Sequence, residues 1–173
     1  MNLHEYQAKE LLRKYDLPLL NGVVFIESLS SLEKKLEILK GPPWVVKSQI
    51  HAGGRGAGYF KNSSNKNGGV RIVHKKNDVQ LTAEFMLGNT LVTKQTGPKG
   101  KKVNRIFIEE GCEIEREFYL SLLIDRSKSQ LMLMISAVGG INIEDVAQRN
   151  PDKIHISHFS DLNKNRKFKK ENF

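Results

Sequence analysis

A single cysteine, Cys112, stands in the 173 residues, so the chain can form no internal disulfide and no cysteine cluster for a metal. A lone cysteine close to strand ends reads as a small packed side chain rather than a nucleophile. The five histidines, His4, His51, His74, His155 and His158, contain no H-E-x-x-H pair, and no metal site is recognisable among them. No apolar run approaches the roughly 18 residues that a membrane-spanning helix needs. The opening Met1-Asn2-Leu3-His4-Glu5 carries no basic, apolar or arginine-rich leader, which points to the cytosol. Acidic residues are also in short supply, 19 against 28 lysines and arginines, for a formal charge of +9. Of that excess, +4 sits in Asn163–Phe173, where Lys164, Arg166, Lys167, Lys169 and Lys170 meet Glu171 alone. A basic terminal run of this kind reads as a solvated tail. The rest of the positive charge suits a phosphate-bearing ligand such as a nucleotide or coenzyme A, and does not require a nucleic acid.

The sequence concentrates its chemistry in Trp44–Gly58, where an apolar strand carrying Lys47 runs into a loop with Gly53, Gly54, Arg55, Gly56 and Gly58. Glycines let a backbone turn tightly and bring its N–H groups close to a ligand. A lysine and an arginine add fixed positive charge, and the combination suits a polyphosphate. Neither G-x-x-x-x-G-K-[ST] nor G-x-G-x-x-G is present, because the lysine precedes the glycines and Tyr59 occupies the last glycine position. Taken alone, the loop reads first as a flexible, cationic surface hairpin with no ligand, and its neighbours turn the reading towards a phosphate site.

Around it the pattern is α+β. Asn2 with Glu5 has capping-box spacing, and Ala8, Leu11, Leu12 and Tyr15 recur on one helical face. Val23–Ile26 reads as a strand, and Ser30 or Ser31 caps a helix with Leu32, Leu36 and Leu39 on one stripe. Trp44–Ile50 is the strand bearing Lys47, and Tyr59–Lys66 reads as a mobile polar extension. Gly69–Val73 is a strand, Asn77 caps a helix turning Val79, Thr82, Ala83 and Met86 inward, and Leu91–Thr93 is extended. Val103–Glu109, Glu117–Asp125 and Gln130–Ala137 suggest an antiparallel meander, followed by a short helix over Asn142–Arg149 and a strand from Ile154. Alternation places Phe118, Leu120, Leu122 and Ile124 on one face. Glu109 and Glu117, at strand ends, are candidates to accept hydrogen bonds from ribose hydroxyls, while most acids in Glu109–Glu115 are expected to be exposed.

With these pieces in hand, the chain resembles the start of a succinyl-CoA synthetase (succinate–CoA ligase) β subunit. The resemblance rests on Asn2-Leu3-His4-Glu5-Tyr6-Gln7-Ala8-Lys9, Trp44–Lys47 and Gln49–Gly56, with Leu91-Val92-Thr93, the Glu109…Glu117 pair, Leu123–Arg126 and Gly139–Glu144 in support. It implies an ATP-grasp region over residues 1–157. Its small α/β lobe would span 21–100, with 1–20 and 101–157 forming part of an incomplete second lobe that has antiparallel strands, and 158–173 forming a divergent basic tail. It implies that Lys47 contacts nucleotide phosphates, that Gly54-Arg55-Gly56 covers them, that Glu109 and Cys112 line the base and hinge, and that Glu117 lies near the ribose.

The resemblance further implies ATP and Mg²⁺ as cofactors, a separate α subunit that carries a phosphohistidine, coenzyme A and a dicarboxylic acid as substrates, and a place in the bacterial cytoplasm. His51 is then a loop residue rather than the phosphohistidine. Leu20, near the position where the family discriminates purines, favours ATP over GTP. Two features depart from the pattern: Ala57–Gly68 is longer than usual, and the expected Mg²⁺ ligands lie beyond Phe173. The 173-residue chain is therefore expected to be inactive by itself, with no catalytic residue of its own. Malate as the acid, a non-catalytic nucleotide- or partner-binding module, and RNA binding through the basic tail remain as alternatives.

Overall fold

Val46, Ile106 and Ile108 are fully enclosed side chains on two neighbouring strands, and the first half of the chain is built around them. The structure, a computed structural model, describes residues 2–61, 63, 67–141 and 143–159. It has two compact units, Met1–Cys112 and Glu113–Phe173, each taken by itself below.

In the first unit, α1 (Glu5–Arg13) leads to β1 (Gly22–Ile26), α2 (Leu32–Leu36), β2 (Trp44–Ser48), β3 (Tyr59–Phe60) and β4 (Val70–Val73). Next come α3 (Lys76–Met86), β5 (Thr90–Val92), β6 (Lys101–Lys102) and β7 (Arg105–Glu110). One sheet has the order β1-β7-β2-β4 and a second has β3-β5-β6, both antiparallel throughout. Trp44, Val46 and Ser48 alternate into the core, so Val45 and Lys47 must point to the other face of β2. The leucines Leu32, Leu36 and Leu39 of α2 and its following turn, with Val79, Ala83 and Met86 of α3, close the core, as their spacing predicts.

The sequence divides the chain near Gly100, whereas the packing divides it after Cys112. The cause is β7. Its Ile106-Phe107-Ile108 run is buried on both faces, so it needs a neighbour on each edge and finds β1 and β2. It therefore leaves the expected meander. The meander that forms lies in the second unit: β8 (Tyr119–Asp125), β9 (Gln130–Ser136) and β10 (Ile154–Phe159), in the order β10-β9-β8. The helix α4 (Ile143–Arg149) and a 3₁₀ turn (Pro151–Lys153) connect β9 to β10. Phe118, Leu120, Leu122 and Ile124 share a face as expected, and that face is exposed. His158 and Phe159, assigned from sequence to the tail, pair with Met132 and Leu131. Residues 160–173 of that tail lie outside the described residues.

Two further expectations change. The Tyr59–Lys66 extension begins as a strand, because Phe60 is buried against Phe85 with ring centroids 5.1 Å apart, and Tyr59 and Phe60 pair with Val92 and Leu91. Residues 62 and 64–66 lie outside the described residues. The helix α1 starts two residues later than the Asn2 cap implies, with His4 at its cap and the His4 N–H donating to Gln7 Oε1 at 3.0 Å.

Candidate functional site

Lys47 and Glu109 meet because of sheet register. Val45 lies opposite Glu109 and Lys47 opposite Phe107, so Lys47 and Glu109 are diagonal neighbours on one face of β2 and β7. Lys47 Nζ donates to Glu109 Oε2 at 2.7 Å and to Glu5 Oε1 at 2.9 Å. The second oxygen of Glu109 accepts from Lys9 Nζ. Glu5 and Lys9 stand four residues apart, one helical turn, so α1 presents a carboxylate and an ammonium to a strand ammonium and carboxylate of opposite order.

The apolar face of α1 does not supply its packing. Leu11, Leu12 and Tyr15, which the sequence places on that face, are exposed, and no residue of the helix is fully buried. Its polar stripe of Glu5, Lys9 and Arg13 makes the contacts instead, Arg13 Nη2 donating to the Leu20 carbonyl at 2.9 Å. The sequence signal for this orientation is Glu5-x-x-x-Lys9 itself.

The glycine loop joins the same cluster through Arg55. Its Nη2 donates to Glu5 Oε2 at 2.7 Å and its Nη1 to the Ser48 carbonyl at 2.6 Å. The Arg55 carbonyl accepts the N–H groups of Gly58 and Gly69, at 3.2 and 2.8 Å, which ties both stems of the loop together. Gly54 has φ +70°, the left-handed region that favours glycine, and a Cβ on Gly58 would fall 2.6 Å from the Val92 carbonyl oxygen. The Gly53 N–H donates to Gln95 Oε1 at 2.7 Å, and Lys101 Nζ to the His51 carbonyl at 2.9 Å.

The electrostatics follow from this crowding. Burial pushes the Glu5 carboxyl up, but Lys47 and Arg55 outweigh it and hold the group at about 2. Burial likewise opposes the charge on Lys47, and hydrogen bonds and charge from Glu109 and Glu5 raise its pKa nonetheless. Lys9, Lys47 and Arg55 against Glu5 and Glu109 leave one positive charge in excess.

Of the residues singled out in sequence, Lys47, Arg55 and Glu109 are brought together through Glu5, with Gly54 and Gly56 in the loop alongside. Glu109 is buried with both oxygens occupied by lysines, so its side chain is not presented to a ribose. Glu110, in an acidic run expected to be mostly exposed, is buried too. Its carboxylate accepts the Lys40 N–H at 2.8 Å and the Asn21 amide at 3.2 Å, and these hydrogen bonds overcome burial to hold it below the usual carboxylate range. Cys112 ends the first unit with an exposed thiol, where a packed one was expected. Glu117 belongs to the second unit, beside Gly139 and Gly140, its carbonyl accepting the Gly139 N–H at 2.9 Å.

Among the described residues no three or more His, Cys, Asp or Glu side chains gather as a metal would require. The two carboxylates at the cluster are already held by cations, so these residues do not fit a Mg²⁺ ion.

His4 caps the cluster. It is buried, its ring stacks on His51 with centroids 3.9 Å apart, and Nδ1 has no hydrogen-bond partner. Burial, then the charges of His51, Arg105 and Arg55, lower its pKa from 6.5 to about 4. The unfolded chain therefore binds a proton in this window that the folded chain refuses. The His4 contribution is whole above pH 6.5 and is lost as pH falls towards 4. Urea unfolding at pH 5 is expected to show about 1–2 kcal/mol less stability than at pH 7, with a smaller loss in His4→Gln. The Glu5 contribution begins to fall only below its ordinary value of 4.5, so it stays out of that comparison. An equal loss in both proteins would remove His4 from this role.

A family model described as the ATP-grasp domain matches residues 2–172. The succinate–CoA ligase (ADP-forming) subunit beta of Acidiphilium cryptum is 54% identical over 154 residues, covering 89% of this chain and 38% of the relative. Its counterpart from Nitrobacter hamburgensis is 55% identical over 155 residues, with 89% and 39% covered. The chain thus spans well under half the length of the curated relatives it matches. Among solved structures, ATP citrate lyase from Methanothrix soehngenii, in complex with citrate and coenzyme A, superimposes with a TM-score of 0.64 at 19% identity, over 94% of this chain and 35% of that one. That likeness is one of fold. No helix of the described residues is long and apolar enough to cross a membrane.

Proposed function

Because the chain belongs to the ATP-grasp domain family, we propose that its first unit binds the polyphosphate of ATP through Lys47, Arg55 and the N–H groups of Gly54-Arg55-Gly56. The observation that carries this reading is the joining of a strand lysine and a loop arginine, from sequence-distant segments, in one cluster. Lys47 spends two of its three N–H donors on Glu109 and Glu5 and keeps one. Arg55 keeps N–H groups beyond the two that Glu5 and Ser48 use. Phosphoryl transfer asks mainly for alignment and charge neutralisation, which such donors supply.

The close relatives support placing this chain as the nucleotide-binding portion of a succinate–CoA ligase β subunit. In the complete protein, ATP would phosphorylate a histidine on a separate α subunit, the phosphate would pass to succinate, and coenzyme A would displace it. Cys112 and Glu117 would contribute at the hinge and ribose, and Mg²⁺ would be held by residues outside this chain. The cytoplasm is the corresponding compartment. The residues that choose succinate over malate lie outside the chain as well.

Calorimetric titration of the 173-residue chain tests the binding step. ATP and inorganic tripolyphosphate are both expected to bind and adenosine is not. Adenosine binding as tightly as ATP, or no heat with ATP, would refute the polyphosphate assignment.

A further inference from the structure

Glu5 lies at the centre of the cluster, bonded to both Lys47 and Arg55. Its two oxygens are divided between the two cations assigned to phosphate, Oε1 on Lys47 at 2.9 Å and Oε2 on Arg55 at 2.7 Å. Gln49 Nε2 stands 3.4 Å from the same carboxylate. A phosphate oxygen seeks the same donors with the same charge and a similar radius. Glu5 also belongs to α1, which has no fully buried residue and whose side-chain ties to strands β2 and β7 are the charged contacts at Glu5 and Lys9, besides the His4–His51 stacking at its cap and the Arg13 contact at its end.

We propose that Glu5 is an internal counter-ion that a polyphosphate must compete with for Lys47 and Arg55, so that occupancy of the phosphate site loosens helix α1. The inference rests on the polyphosphate reading above. It gives Glu5 a positioning and affinity-setting role with two effects of opposite sign. At low occupancy the carboxylate stabilises the fold by neutralising two partly buried cations. On binding, it opposes the ligand by occupying one donor of each. A residue with a structural role alone would help both or affect only stability.

The test compares the unsubstituted chain with Glu5→Gln, titrated with inorganic tripolyphosphate at fixed ionic strength. Glutamine keeps the size and removes the charge. Binding is expected to tighten by about three- to tenfold while the thermal midpoint falls by a few degrees. Glu10→Gln removes the same charge from an exposed position on the same helix and serves as the control, with affinity expected to stay within about twofold. In a second measurement, tripolyphosphate is expected to speed amide hydrogen exchange in Glu5–Arg13 of the unsubstituted chain and to leave it unchanged in Glu5→Gln. Unchanged or weaker binding by Glu5→Gln, with binding by the unsubstituted chain intact, would overturn the counter-ion role alone. Slower exchange in α1 on adding tripolyphosphate would overturn the loosening. Failure of the unsubstituted chain to bind tripolyphosphate would overturn the polyphosphate reading first, and this inference with it.

Discussion

Lys47→Met is expected to weaken binding of ATP and tripolyphosphate to this chain by about 10- to 100-fold, the range for losing one hydrogen bond to a charged group. The side chain emerges from a central strand and is fixed on two sides by Glu5 and Glu109, so its remaining donor is presented with little conformational freedom left to lose. Methionine preserves the bulk of the stem and removes only the donors and the charge. The substitution also leaves Glu5 with Arg55 and Glu109 with Lys9, so each carboxylate keeps one cation. Folding should survive, and the affinity loss can be read from calorimetry on a protein whose unfolding transition is still cooperative. An affinity within twofold of the unsubstituted chain would show that Lys47 is not a phosphate ligand.

Glu109→Ala is expected to have the largest effect on stability, a loss of about 3 kcal/mol. Glu109 is 2% exposed, and its oxygens are shared between Lys9 and Lys47. Deleting it leaves Lys9 without its carboxylate, near the Phe107 ring at 5.8 Å, and leaves Lys47 dependent on Glu5. Breaking a buried pair costs more than the pair contributes, because the remaining charge stays desolvated. Trp44, the only tryptophan, is buried in β2 of the same unit, so its fluorescence reports this transition. Glu117→Ala, at an exposed position in the second unit, should stay within about 0.5 kcal/mol. A loss below about 1 kcal/mol for Glu109→Ala would mean that the two lysines are well solvated without it.

These expectations depend on contacts that the sequence shows unevenly. The strand of Lys47 and the glycine loop are local features, written in consecutive residues, and both appear where the pattern puts them. The α2 stripe and the inward face of α3 were legible for the same reason, since apolar spacing of three and four is a local code. The roles of α1 and β7 are decided by distant partners. The apolar stripe of α1 has the same periodicity whether it faces the core or solvent. The choice is settled by the ion pairs of Glu5 and Lys9 with residues 42 and 100 positions away. Strand β7 reads as one more member of a meander until its two buried faces are seen to need β1 and β2. Glu110 sits in an acidic run that looks solvated, and only the fold brings the Lys40 and Asn21 donors to it. Phe60 was hidden by the polar residues that follow it.

The most direct measurement is a ¹H–¹⁵N titration of the chain with tripolyphosphate, following backbone amides and lysine ammonium groups together. Saturable shifts at Gly53, Gly54, Arg55 and Gly56, with a matching change at the Lys47 ammonium, are the expected result. Shifts confined to the basic residues of Asn163–Phe173, with the loop and Lys47 unmoved, would contradict the assignment of the phosphate site.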